Sequence, residues 1–286
     1  MAATFRRVLQ DQRFALTAEL TLGSDSGADD VRRQADQLGS LVDGIQVTDN
    51  PYAWVQMSAL AAAAILREHG FDPIPVLSCR DRNRSALQRD LLGMQALGVS
   101  SLVLIRGHRV PRDHALPATT VFDLTGRELI ARAAALESKP LIGTGARVFR
   151  PGPGWQGESL TARAAAGAGF MLTQLCFNLD ILRRYMARFS SAGLAKRLAV
   201  MVSLSTLPSA ATASWIRQNL SDSRIPDALI RRLDTARDPE QEGILICAEL
   251  MREIADIPGV SGINLMTTGN PESIPAAIRM SGLREG

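Results

Sequence analysis

The fold is decided by residues 73–108, PIPVLSCRDRNRSALQRDLLGMQALGVSSLVLIRGH. The stretch opens on Ile74-Pro75-Val76-Leu77, a short and partly β-branched apolar run with the length of a buried strand. A dense polar turn, Cys79-Arg80-Asp81-Arg82-Asn83-Arg84, follows it. Leu87, Leu91, Met94 and Leu97 then recur at helical spacing, and Gly98 stands where a helix C-cap belongs. A second apolar run, Leu102-Val103-Leu104-Ile105, leads directly into Arg106-Gly107-His108. This is strand, helix, strand, with polar residues gathered where each strand ends. In parallel α/β folds those carboxyl ends are where ligands sit.

The same grammar extends in both directions. Upstream, strands are predicted at Phe14–Leu20 and Ile45–Val47, the first with Glu19 near its end and the second running into Thr48-Asp49-Asn50-Pro51. Helices are predicted over Asp29–Leu38 and Ala53–His69. Downstream, a loop over Arg109–Thr120 precedes a helix at Leu124–Leu136. Strands follow at Leu141–Gly143, Phe170–Leu172, Leu198–Val202 and Val260–Leu265. The helices between and after them are Ser159–Ala166, Leu179–Phe189, Ala211–Leu220, Asp227–Leu233, Glu240–Ile254 and Ser273–Met280. Eight strands alternating with helices predict an α/β fold, a single (β/α)8 TIM barrel forming one catalytic domain over residues 1–286. The competitor, a doubly wound open sheet, lacks its dinucleotide fingerprint, since no GxGxxG opens a helix after the first strand.

Composition sets the function classes. Of 286 residues, 46% are hydrophobic, which excludes a disordered chain. The net charge is only +3, and all basic residues except Lys139 and Lys196 are arginines dispersed among acids. No basic block interleaved with aromatics is present, so nucleic-acid binding is not expected; scattered arginines suit an anionic small molecule better. Cys79, Cys176 and Cys247 are far apart, which argues for a reducing compartment and against a structural zinc site. Arg6-Arg7 has no apolar segment behind it, and Ala59–Leu66 is too short to span a bilayer. A cytoplasmic protein without membrane contact is expected, and homo-oligomerisation stays open.

In a barrel, the strand-end residues converge on one mouth. Glu19 is flanked there by Leu16-Thr17-Ala18 and Leu20, an apolar setting that raises a carboxyl's pKa and suits it to general-acid work near neutral pH. The alternative is an interior glutamate paired with an arginine for packing. The arginines from Arg80 to Arg84 read either as an anion site at a helix start or as a self-paired salt-bridge turn, and the second reading is favoured. Asp81 suits the N-cap of the helix. His108 is one of three histidines, and without a second ligand at suitable spacing no metal is expected. Gln174 offers both donor and acceptor at a strand end, as recognition of a heterocycle edge requires. Ser203 and Ser205 lack a GxSxG setting, so a serine hydrolase is discounted.

Several of these runs together resemble the methylenetetrahydrofolate reductases. They are Val47-Thr48-Asp49-Asn50-Pro51, the Leu77–Arg84 block with Leu87-Gln88 and Asp90–Gly93, and Ala166-Gly167-Ala168 before Thr173-Gln174 and Phe177. The resemblance extends from about Phe14 to Ile278. It implies a (β/α)8 barrel that binds FAD, takes a hydride from NAD(P)H and reduces 5,10-methylenetetrahydrofolate to 5-methyltetrahydrofolate. On that reading Glu19 is the general acid that helps open the folate's five-membered ring. Gln174, with Asp49, His108 and Phe177, would face the folate. Thr48, Cys79, Arg80, Arg106, Gly107 and Arg163 would face the flavin, Arg163 standing where many members carry a phosphate-binding lysine.

The chain departs from the family pattern on the flavin side. His108 replaces the usual acid after the fourth strand, Val76 stands where a histidine is common, and Gly143-Thr144-Gly145-Ala146-Arg147 replaces a tyrosine-bearing motif. Two other readings therefore accompany the FAD-dependent enzyme: direct hydride transfer from NAD(P)H without flavin, and a non-redox folate-binding relative.

Overall fold

The computed structural model describes residues 4–51, 54–110 and 118–284. Eight parallel strands close into a barrel in strict chain order. They are β1 (Ala15–Glu19), β2 (Gly44–Val47), β3 (Pro73–Ser78), β4 (Ser101–Ile105), β5 (Leu141–Ala146), β6 (Phe170–Leu175), β7 (Ala199–Thr206) and β8 (Gly262–Thr267). The expected (β/α)8 barrel is the observed fold. The register places Glu19 opposite Gln46 on β2 and Thr17 opposite Asn264 on β8, which in turn lies beside Ser203 on β7.

The apolar runs that predict the strands are divided between two cores. Val47, Leu77, Leu104, Val202 and Leu265 belong to the larger cluster, which packs the strands against the surrounding helices. Ala15, Ile74, Val76, Val103, Phe170 and Met201 form a separate cluster inside the barrel. This division follows from alternate side chains pointing to opposite faces of a strand. A short first helix, α1 (Phe5–Gln10), closes the lower end. Phe5 inserts from it to meet Phe170 edge to face, with ring centroids 5.2 Å apart. The interior has room for these rings because Gly143 bears no side chain: a Cβ there would lie 2.2 Å from Phe170 Cζ.

Towards the upper end the inward-facing residues become polar: Thr17, Glu19, Gln46, Ser203 and Asn264. The helices that matter for this end are α3 (Ala59–Glu68), α4 (Arg84–Ala96), α5 (Gly126–Ala134) and α6 (Glu158–Ala165). Several boundaries differ from the sequence expectation. The helix expected from Ala53 begins at Ala59, because Ser58 caps it by accepting the Ala61 N–H at 3.2 Å; Ala53 itself lies outside the described residues. Asn83, not Asp81, is the N-cap of α4, accepting the Ala86 N–H at 3.0 Å. α5 starts only after Thr125, whose hydroxyl and Glu128 form a capping box. Strands β5, β6 and β7 run past their apolar segments, so Ser203 and Ser205 lie within a strand. Of the expected Arg109–Thr120 loop, residues 111–117 lie outside the described residues.

Candidate active site

Glu19 is the last residue of β1, and its carboxylate meets one polar partner: Gln46 Nε2 donates to Oε2 at 2.8 Å. No arginine pairs with it among the described residues, so the packing salt bridge is not what holds it. The side chain is only half-buried by surface area, yet the barrel wall around it replaces most of the water an ionised carboxylate would need. Burial pushes its pKa up to about 7, with the Gln46 hydrogen bond pulling the other way. Proton loss near neutral pH is the property required of a general acid.

Above the polar layer lies a cavity of about 950 Å³, at the upper end of the range for small-molecule sites. Gln46 and Thr48 form one side; Arg106, Gly107 and His108 continue it at the end of β4. The far wall carries Thr144 to Arg147 from β5, Arg163 from α6 and Thr173-Gln174 from β6. Gln174 is exposed within β6 because the pairing with β7 shifts register between Leu172 and Leu175. There Thr173 Oγ1, instead of a backbone carbonyl, accepts the Ser203 N–H at 2.9 Å. The Gln174 amide has no side-chain hydrogen bond among the described residues, which leaves its donor and acceptor to a ligand.

The cavity wall is cationic. Arg106, Arg127, Arg147 and Arg163 line it together with His108, and among the described residues no carboxylate does. Arg163 bonds only neutral groups, Thr144 Oγ1 at 3.0 Å, the Gly145 carbonyl at 2.5 Å and Ser159 Oγ at 3.0 Å. Burial lowers its pKa from the ordinary arginine value, as expected of a half-buried guanidinium whose charge is not answered by an acid. Arg106 lies over the Phe122 ring at 4.4 Å, and Arg147 only approaches Asp222, at 3.6 Å. Gly107 has φ +81°, and a Cβ on it would press on Arg80 Cβ at 3.0 Å and Ser78 Cβ at 3.2 Å. A side chain is thus excluded where the backbone turns along the cavity. The donor set fits a ligand bearing a diphosphate, as both FAD and a nicotinamide dinucleotide do.

Four expected site residues lie elsewhere. Asp49 is buried beneath the rim, held by both Arg82 nitrogens at 2.7 and 2.9 Å and by the Ser78 N–H at 2.8 Å. Arg80 is buried, with Nε and Nη2 both 2.6 Å from Asp81 and Nη2 on the Asn50 carbonyl at 2.9 Å. Arg84 grips Asp123 at 2.8 Å. The arginines of the turn are thus taken up in salt bridges, but only Arg80 pairs within it; Arg82 and Arg84 reach acids on other segments, so the turn is not self-paired as its sequence suggested. Cys79 and Phe177 are buried in the outer core, and desolvation pushes the Cys79 thiol up to about 11. None of these four lines the cavity. Sequence reasoning missed Gln46, Thr125 and Arg127. The signal for Gln46 was available: it is a lone amide between Ile45 and Val47, on the face that alternation assigns to the barrel interior.

Residues 151–282, which contain Arg163, Thr173 and Gln174, match the family model described as methylenetetrahydrofolate reductase. The match covers 132 of the 286 residues, so the chain is similar to that family over just under half of its length. Glu19 and the arginine turn lie outside the matched segment. No protein of curated function matches the sequence. Among solved structures, the chain is similar to an uncharacterised protein from Clostridium thermocellum that binds two copies of 5-methyl-5,6,7,8-tetrahydrofolic acid. The TM-score is 0.66 at 14% identity, over 96% of either chain. DmoA from Hyphomicrobium sulfonivorans is similar at a TM-score of 0.54 and 14% identity, over 92% of this chain and 85% of DmoA. At these identities the likeness is one of fold. Among the described residues, no three histidine, cysteine or acidic side chains converge as a metal ion would require, and no helix is long and apolar enough to cross a membrane.

Proposed function

We propose that the protein reduces 5,10-methylenetetrahydrofolate to 5-methyltetrahydrofolate with a hydride from NAD(P)H. The observation that carries this reading is a carboxyl whose pKa burial raises to about 7, beside a cavity whose wall holds four arginines and no acid among the described residues. The reaction needs both. Glu19 gives its proton to the bridging nitrogen of the imidazolidine ring, the C–N bond to that nitrogen breaks, and the methylene is left as an iminium that accepts the hydride. Gln174 offers its free amide to the pterin edge, across the mouth from the acid. The match of residues 151–282 to the reductase family model and the folate bound by the Clostridium thermocellum neighbour support the substrate class.

Thr48, Arg106, Gly107 and Arg163 would hold FAD, which when bound relays the hydride from NAD(P)H to the folate. The other cavity arginines, Arg127 and Arg147, add charge for its diphosphate. A second reading, direct transfer from NAD(P)H, is favoured by one observation: His108 lines the cavity where relatives carry an acid. The visible spectrum of the purified protein separates the two. Flavin absorbance is expected. A colourless protein that still oxidises NADH with methylenetetrahydrofolate, unaffected by added FAD, would establish direct transfer. Failure to turn over the folate with either nucleotide, flavin present or absent, would sink the reductase assignment itself.

A further inference from the structure

Gln46 is a buried amide whose N–H points at the acid, and neither the family match nor the motifs that carry the resemblance assign it a task. The cross-strand register seats it directly opposite Glu19, and it forms part of the cavity wall. Its Nε2 donates to Glu19 Oε2 at 2.8 Å, the one hydrogen bond to that carboxyl among the described residues. An oxygen that accepts this bond is poorly placed to carry the acidic proton, which falls to Oε1. We propose that Gln46 is the positioning residue of the general acid, fixing the Glu19 carboxyl so that its proton is presented from Oε1. The inference rests on the reductase reading for its use, but not for its chemistry.

The charge surroundings make this single bond decisive. On β2 only Gln46 reaches Glu19, and Asn264 and Leu265 of β8, abreast of Thr17 and Ala18 just before it, are uncharged. On the helix after β1, α2 (Ala28–Leu38), Asp29 pairs with Arg32 and Asp30 with Arg33. Asp25, in the loop between, is bonded to neither. Across the mouth Arg106, His108, Arg127, Arg147 and Arg163 make no hydrogen bond or ion pair with the acid. Only burial and Gln46 act on its proton affinity, in opposite directions.

Removing the amide while keeping the side chain's length, in Gln46→Met, should therefore raise the Glu19 midpoint. A hydrogen bond to a charged group contributes about 1.5–3 kcal/mol, equivalent to a shift of roughly one to two pH units. The measurement is a carbon-13 NMR titration of carboxyl-labelled glutamates, with the Glu19 signal identified by its disappearance in Glu19→Gln. It requires neither substrate nor flavin. In turnover, the alkaline limb of the pH profile should move up by the same amount. The plateau kcat should fall by roughly tenfold to a hundredfold from lost orientation, and KM for the folate should stay within about twofold. A Gln46→Met protein with an unmoved or lowered Glu19 midpoint overturns the proposal. If that protein does not fold, judged by a cooperative thermal transition, Gln46→Asn carries the same expectation, its amide being too short to reach. Loss of the reductase reading would show differently, as no folate turnover by the parent protein with either nucleotide, flavin present or absent, while the titration still decides the role of Gln46.

Discussion

A carboxyl that is best protonated weakens the fold that holds it. The Glu19 pKa is raised from 4.5 to about 7 in the folded protein, so the folded state binds more protons than the unfolded state between those values. The contribution is fully favourable below pH 4.5 and is lost as pH rises through 7. Above that, the ionised group costs up to about 3 kcal/mol. Glu19→Gln should thus be more stable than the parent protein at pH 8 and equal to it near pH 4, as urea unfolding at the two pH values would reveal. In turnover the same variant should lose about 10²- to 10⁴-fold in folate reduction. The parent's rate should fall as pH rises through about 7, because the protonated form does the work. Glu19 was legible in sequence because an isolated acid in an apolar run has few structural uses. Its partner was overlooked, because an amide in a buried strand announces neither charge nor motif and alternation was its one signal.

The strands show why some residues fell where sequence placed them and others did not. Apolar runs end before strands do: β7 continues through Ser203, Ser205 and Thr206, the two serines on the face of the barrel interior and Thr206 turned outward to Ser273, and hydropathy reads all three as loop. The six-residue α1 is too short to display a helical period, yet it supplies Phe5 to the barrel floor. The resemblance rested partly on the CRDRN block, which lies outside the segment that matches the family model, and its residues Cys79 and Arg80 sit behind the rim. Charge matching among Arg80, Asp81, Arg82, Asp49 and Asp90 fixes that placement, and such pairing depends on three separate loops that spacing alone cannot align. The floor yields its own test. Gly143→Ala should destabilise by about 1–3 kcal/mol, because its Cβ collides with Phe170. Phe170→Ala alone should cost about 3–5 kcal/mol through the cavity it leaves. The double variant should cost less than the sum, since each change removes the other's reason for strain. Additive chemical-denaturation free energies would refute that coupling.

Across the molecule, charge is arranged asymmetrically although the net value is small. Acids pair with arginines over the helices and behind the rim, whereas the cavity wall keeps Arg106, Arg127 and Arg163 without acid partners among the described residues. Binding of a diphosphate-bearing dinucleotide should therefore weaken as ionic strength rises, because screening acts on partly exposed charges. Arg163→Gln should weaken it further and flatten the salt dependence, measurable by isothermal titration at several salt concentrations. A Kd indifferent to both would remove the cationic wall from ligand recognition.

The turn from Cys79 to Arg84 has a consequence for how relatives of this protein are found. Its side chains stitch three loops together and none of them lines the cavity, so they serve the scaffold. A barrel could keep every residue of that turn after losing the acid on β1, and it would still be gathered by any search keyed to the turn. Conversely, a chain that replaced the stitching with an apolar joint would escape such a search with its chemistry intact. Ancestry and activity are written in different parts of this barrel, and position 19 together with position 46 is the place to look for the second.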